Sequence, residues 1–339
     1  MKKTILSLFS FFAFLVIFNA CSTDVDLYAD YKDITVVYGL LDGDADTNFI
    51  KINKAFLGPG NAYNIALNAD SCNYPEKLNA RIIEYRASAS GTNYQKITEF
   101  PLDTITVHDK EVGLFYAPDQ LVYYTTHKIN KNTEQYHYRY ELQIERGDSI
   151  ISAITNIVGG GLFSVPQGSY NFSSSTDEGR VKFFPCDYAS LYEVFFKFHF
   201  TEVSSSGAVE RCMTWPLGSH AASDLIMENG LYIVSYTASM FFDNLASMLG
   251  DDTLLTNVER QFTDFPLEVC VAAGGDELYN FITVNGPSSS IVQTLPEYTN
   301  VHGGYGVLSS RTMYSKWTRL SGQTVPELKG HDNWHFKQI

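Results

Sequence analysis

The chain has 339 residues, with 24 Lys and Arg against 38 Asp and Glu, a formal charge of −14, and 45% hydrophobic residues. That balance argues against nucleic acid and anionic lipid headgroups as partners, since no run of basic residues offsets the repulsion. The apolar share is enough for a sizeable core, which argues against disorder, and the length suits two domains.

Residues 1–20 have the parts of a secretion signal peptide: Lys2 and Lys3, then an apolar run from Ile5 to Phe18, then the small Ala20 before Cys21. The run is shorter than the roughly 20 apolar residues that a spanning helix needs. Phe18, Asn19, Ala20 and Cys21 resemble the processing box of bacterial lipoproteins, in which the cysteine is acylated and becomes the new N-terminus. Cys21 is therefore the expected lipidation site. Two or three acyl chains hold a protein stably on a lipid bilayer where one chain does not. The alternative is plain cleavage after Ala20 with a free Cys21. Residues 21–33 continue as an acidic tether, Cys21 followed by "STDVDLYADYKD".

From residue 34 the pattern turns to period-two runs rich in branched and aromatic residues. "DITVVYGLL", "NFIKINKAFL", "NARIIEYRAS", "YQKITEF", "GLFYAP", "LVYYTTHKI", "YRYELQIER" and "DSIISAITNIV" are separated by Gly, Pro, Asn and Asp clusters. This spacing predicts an immunoglobulin- or fibronectin-like β-sandwich over residues 34–158. The loop "LDGDADTNF" places Asp42, Asp44, Asp46 and Asn48 at alternate positions, but Thr47 and Asn53 stand where a calcium-binding EF-hand needs Gly and Glu. An acidic, solvated hairpin loop is the expectation.

Residues 159–179, "GGGLFSVPQGSYNFSSSTDEG", read as a linker because glycine and serine remove the side chains that packing needs. Residues 180–339 then predict a second domain: an antiparallel sheet or flattened barrel with one or two helices. "YEVFFKFHFTEV" alternates as a half-buried strand should. "SMFFDNLASML" puts Met240, Phe241, Leu245 and Met248 on one helical face. "GDELYNFITVN" opens with Asp276 and Glu277, which suit a helix N-terminus.

Cys72, Cys186, Cys212 and Cys270 include no Cys-x-x-Cys spacing, so they support neither a zinc site nor a redox motif. Cys186, Cys212 and Cys270 are candidate disulfide cysteines, or else small buried hydrophobes. His331 and His335 stand four apart without the glutamate of a metalloprotease motif. No nucleophile elbow or phosphate loop is present. Trp215, Trp317 and Trp334 could stack on sugars or belong to strand cores. Neither metal, cofactor nor catalytic residue is expected.

Residues 33–58, "DITVVYGLLDGDADTNFIKINKAFLG", and 296–312, "PEYTNVHGGYGVLSSRT", are similar to stretches that bracket a domain-of-unknown-function family of Bacteroidota cell-surface lipoproteins. The resemblance implies a two-part, β-rich chain and brings no catalytic residue with it. It also implies O-glycosylation acceptors, Asp followed by Ser or Thr and an apolar residue, at Thr104, Ser149 and Thr253. Read on their own, Gly303, Gly304 and Gly306 suit positive φ and close backbone approach where the chain enters its last long strand.

The expected function is that of a lipid-anchored protein at the outer membrane and cell surface, a non-catalytic binding or accessory module associated with nutrient uptake. Its expected partners, besides the bilayer, are an outer-membrane transporter or a surface glycan. The alternatives are a fimbrillin-like structural or adhesion subunit, or an unrecognised hydrolase. Against the fimbrillin reading, no arginine stands between Cys21 and Arg81 for a maturing protease to cleave after.

Overall fold

A computed structural model describes residues 32–57, 61–108, 110–117, 119–159, 164–165, 167–175, 177–250, 257–286, 297–331 and 333–339. The signal peptide, Cys21 and most of the tether lie outside the described residues; Lys32 and Asp33 already belong to the first strand. The mostly β expectation holds, and among the described residues no sheet closes into a barrel.

The first half is a sandwich. Strands β1 (Lys32–Asp42) and β2 (Asn48–Leu57) form a hairpin in which Val37, Leu41, Ile50 and Ile52 face inward. Two short helices follow, α1 (Ala62–Ala66) and α2 (Ala69–Cys72), each started by an asparagine whose side chain accepts a backbone N–H in the first turn. Then come β3 (Asn79–Ser88), β4 (Gln95–Pro101), β5 (Asp103–Val107), β6 (Gln120–Thr125), β7 (Tyr136–Arg146) and β8 (Ser149–Asn156). Strand alternation puts Ile82, Tyr140, Leu142 and Ile144 into the core shared with β1 and β2. "GLFYAP", predicted as a strand, is instead part of the β5–β6 loop, with Leu114 and Phe115 exposed.

The segment 159–179 is not a spacer. Ser169–Tyr170 form β9, and Val165, Tyr170 and Phe172 are buried in the second core. Aromatic and branched residues placed between the glycines and serines fill that core. The chain continues through β10 (Glu178–Phe183), β11 (Ala189–Ser204), β12 (Gly207–Ala221), β13 (Ile226–Glu228), β14 (Leu231–Thr237) and α3 (Met240–Leu249). Helix α3 buries Phe241, Phe242, Leu245 and Leu249, which leaves Met240 exposed. Then follow β15 (Glu259–Phe262), β16 (Leu267–Gly275), α4 (Asp276–Asn285), β17 (Val301–His302), β18 (Tyr305–Leu320), α5 (Thr324–Gly330) and β19 (Phe336–Gln338).

One sheet of eleven strands crosses the boundary expected between the halves. Its order is β19-β15-β11-β16-β18-β1-β2-β6-β5, with β12 on β11 and β9 on β18. The joint is β18, which runs parallel to β1 from Val36/Tyr305 to Asp42/Arg311 and antiparallel to β16 beyond. Leu308 enters the first core, and Leu320, on the same face, reaches the second. The sheet β17-β8-β7-β3-β4 covers the first core, and β10-β14-β13 with α3 covers the second.

Parallel pairing of β1 and β18 depends on Gly306. Its φ is +108°, and a Cβ there would stand 1.9 Å from the Val37 carbonyl oxygen. At Gly304 a Cβ would lie 2.6 Å from the Thr35 oxygen. The glycine motif thus serves close backbone approach, as its sequence suggests.

Candidate functional site

Both cores occupy one face of the large sheet. On the other face lies α4, and between it and the β1–β2 hairpin runs a groove of about 500 Å³. Alternation along β1 and β2 would place polar residues on this face, yet Tyr38 and Phe49 stand there partly exposed. Phe281 of α4 meets Tyr38 edge-to-face with ring centroids 5.9 Å apart, and Tyr124 of β6 lies 6.2 Å from Phe49. Leu278, Ile282 and Val307 complete the apolar lining. The polar groups are Thr47, Asn48, Asp42 and Arg311, the last two 3.5 Å apart.

Helix α4 is held in place at its N-terminus. The Leu278 N–H donates to Ser309 Oγ at 3.2 Å, and the Glu277 carboxylate accepts from Thr155 and Ser309 hydroxyls, each at 3.1 Å. Burial raises the Glu277 carboxyl above the ordinary carboxylate range, although these hydrogen bonds pull the other way. One acid therefore ties β8, β18 and α4 together, and with them the groove wall.

The acidic hairpin spends its carboxylates internally. The Asp42 side chain accepts the Asp44 N–H at 2.9 Å, and Asn48 bridges the turn by accepting the Asp42 N–H at 2.7 Å. Asp44 receives Lys131 and the Thr312 hydroxyl. Burial alone would raise the Asp44 carboxyl, but those hydrogen bonds and the Lys131 charge hold it below its usual value. Among the described residues no three His, Cys, Asp or Glu side chains cluster as a metal site.

Farther along the same face, Cys212 Sγ lies 3.9 Å from His199 Nε2, and Glu268 Oε2 lies 3.3 Å from that same nitrogen. A nucleophile relay needs the base to face the nucleophile and the orienting acid through different nitrogens. Here both converge on one. Burial also raises the Cys212 thiol, with Lys197 opposing, so the thiolate is disfavoured. Trp317 covers the imidazole at 4.5 Å between ring centroids.

The disulfide expectation is corrected: Cys186, Cys212 and Cys270 are free thiols, as is Cys72. Cys212 pairs across to His199 on one side of β11, while Cys270 pairs to Phe195 on the other. Two strand spacings and four residues of offset exceed the roughly 7 Å that a disulfide can bridge. Cys186 and Cys270 are buried, and burial pushes each thiol up to about 12.

Of the candidate acceptors, Thr104 lies partly buried on β5, Ser149 is exposed where β8 begins, and Thr253 lies outside the described residues. Trp215 and Trp334 are core residues, and Trp317 alone of the three tryptophans is well exposed. His331 stacks on Trp334 with centroids 4.0 Å apart. Of the groove residues, Asp42 and Asn48 were read in the sequence only as part of the acidic loop, and Tyr38, Phe49 and Arg311 were not singled out. Their available signal is two aromatics on the outward register of a hairpin. No protein-family model matches the chain, and no curated protein matches it.

Proposed function

We propose that the protein is a lipid-anchored binding module of the bacterial cell envelope, held to the outer membrane through acylated Cys21 and presenting the α4 groove to a surface glycan as an accessory to nutrient uptake. The groove carries the reading. Tyr38, Phe49 and Phe281 offer aromatic faces for the apolar side of a sugar ring, while Thr47 and the exposed Arg311 can meet its hydroxyls. The anchor draws support from the apolar run Ile5 to Phe18 and the Ala20–Cys21 that follows it, and the surface location from the likeness of residues 33–58 and 296–312 to Bacteroidota lipoproteins. Cys212, His199 and Glu268 converge without relay geometry, so that set lends no support to a catalytic role.

Calorimetric titration against a panel of soluble oligosaccharides tests it. Tyr38→Ala and Phe49→Ala should each weaken binding about tenfold, some 1.4 kcal/mol, with the unfolding midpoint unchanged. Failure of every oligosaccharide to bind, or wild-type affinity in both variants, sinks the glycan role.

A further inference from the structure

The pole of the sandwich where the described chain begins is apolar and exposed. On the β5–β6 loop, Val112 is 93% exposed, Leu114 63% and Phe115 57%; on and just after α1, Tyr63 is 66% exposed and Leu67 57%. The Tyr116 N–H donates to the Ala66 carbonyl at 2.9 Å, so loop and helix form one surface. Pairing fixes where this surface sits. Lys32 lies opposite Leu57, whose strand leads into α1, and the loop leaves β5 and β6 at Val107/Gln120, toward the same end of β2.

We propose that this pole seats in the lipid surface to which Cys21 anchors the chain, with Val112, Leu114, Phe115, Tyr63 and Leu67 entering the interfacial zone. The inference rests on the anchor reading. Residues 21–31 reach at most about 40 Å when fully extended, and they join the fold at Lys32, at the same end of the sheet as these side chains. Aromatic and aliphatic residues partition into the headgroup boundary, and a net charge of −14 leaves apolar insertion as the attraction. Seating this pole orients the rest. Asp42 lies opposite Arg311, Arg311 opposite Gly274, and Gly274 opposite Leu191, so β11 starts level with the far end of β1 and runs onward from Lys32. The turn at Ser204–Gly207 is thus directed away from the bilayer, and the groove lies between the two extremes.

The test uses the full chain, acylated in a bacterial host and reconstituted in phosphatidylcholine vesicles. Cys212→Ser removes the exposed thiol, and an NBD fluorophore is placed through Val112→Cys or, at the opposite extreme, Ser206→Cys. Expected is a blue shift, a several-fold rise in emission and quenching by lipid-borne spin labels at position 112, with none of these at 206. A water-exposed label at 112 on vesicle-bound protein overturns the seating and leaves the anchor standing. A label shielded in native envelopes but not in pure lipid also overturns it and gives the pole to a protein partner. A chain with no acyl group that fails to sediment with vesicles overturns anchor and seating together.

Discussion

Phe172 lies almost parallel to Phe241, with ring centroids 4.6 Å apart and planes 9° from coplanar directions. Phe196, Trp215 and Tyr236 surround the same ring. Truncating so enclosed an aromatic costs about 3–5 kcal/mol through lost transfer energy and the cavity left behind. Phe172→Ala should therefore lower urea stability by that amount. A spacer residue would show no change.

Gly306→Ala should be strongly destabilising although it adds one methyl. Its Cβ would collide with the Val37 backbone, and an L side chain is strained at φ +108°. Separation of β1 from β18 would release the seam between the halves, so amide exchange should rise in both strands. Unchanged exchange there would mean that the backbone can shift to admit the methyl.

Glu277 supplies a pH dependence of definite sign. Its carboxyl is raised in the folded chain by burial, so the fold binds a proton that the unfolded chain has released. The stability it contributes is present below the ordinary glutamate value and is lost as pH rises through the folded value. Glu277→Gln should thus gain on wild type as pH goes from about 4 to about 7. A constant difference across that range would place the carboxyl at its ordinary value.

Thiol reactivity should separate the cysteines. Cys212 is exposed and Cys72, Cys186 and Cys270 are buried, so at pH 8 a thiol reagent should modify Cys212 in the native chain and the other three only on unfolding. An acylated Cys21 stays silent in both states. Release of Cys186, Cys212 or Cys270 only after reduction would instead indicate a disulfide.

Local features were legible where local physics decides them. Alternation from Tyr192 to Phe200 marks a strand with one buried face, and the apolar stripe of residues 240–249 marks α3. The "LDGDADTNF" loop turns a hairpin, as its residues suggest. Long-range consequences were not legible. Nothing near Val36 announces that it pairs with Tyr305, so the return of β18 into the first half has no local signal. Gly- and Ser-rich composition hides Tyr170 and Phe172, whose burial is decided by strands much later in the chain.

The site was hidden for the same reason. Tyr38 and Phe49 read as ordinary strand aromatics until α4, more than two hundred residues on, packs beside them on the open face. Arg260 is another example: fully buried, it donates to Glu202 at 2.8 Å and to the Trp334 carbonyl at 3.0 Å. "ERQF" alone reads as a polar surface strand, and its partners lie 58 and 74 positions away.

Mass spectrometry of the N-terminal peptide of envelope-purified protein tests the lipid anchor most directly. Anchoring requires a peptide that begins at Cys21 and carries a thioether-linked diacylglycerol. An unmodified Cys21, or a mature chain beginning at another residue, would contradict it.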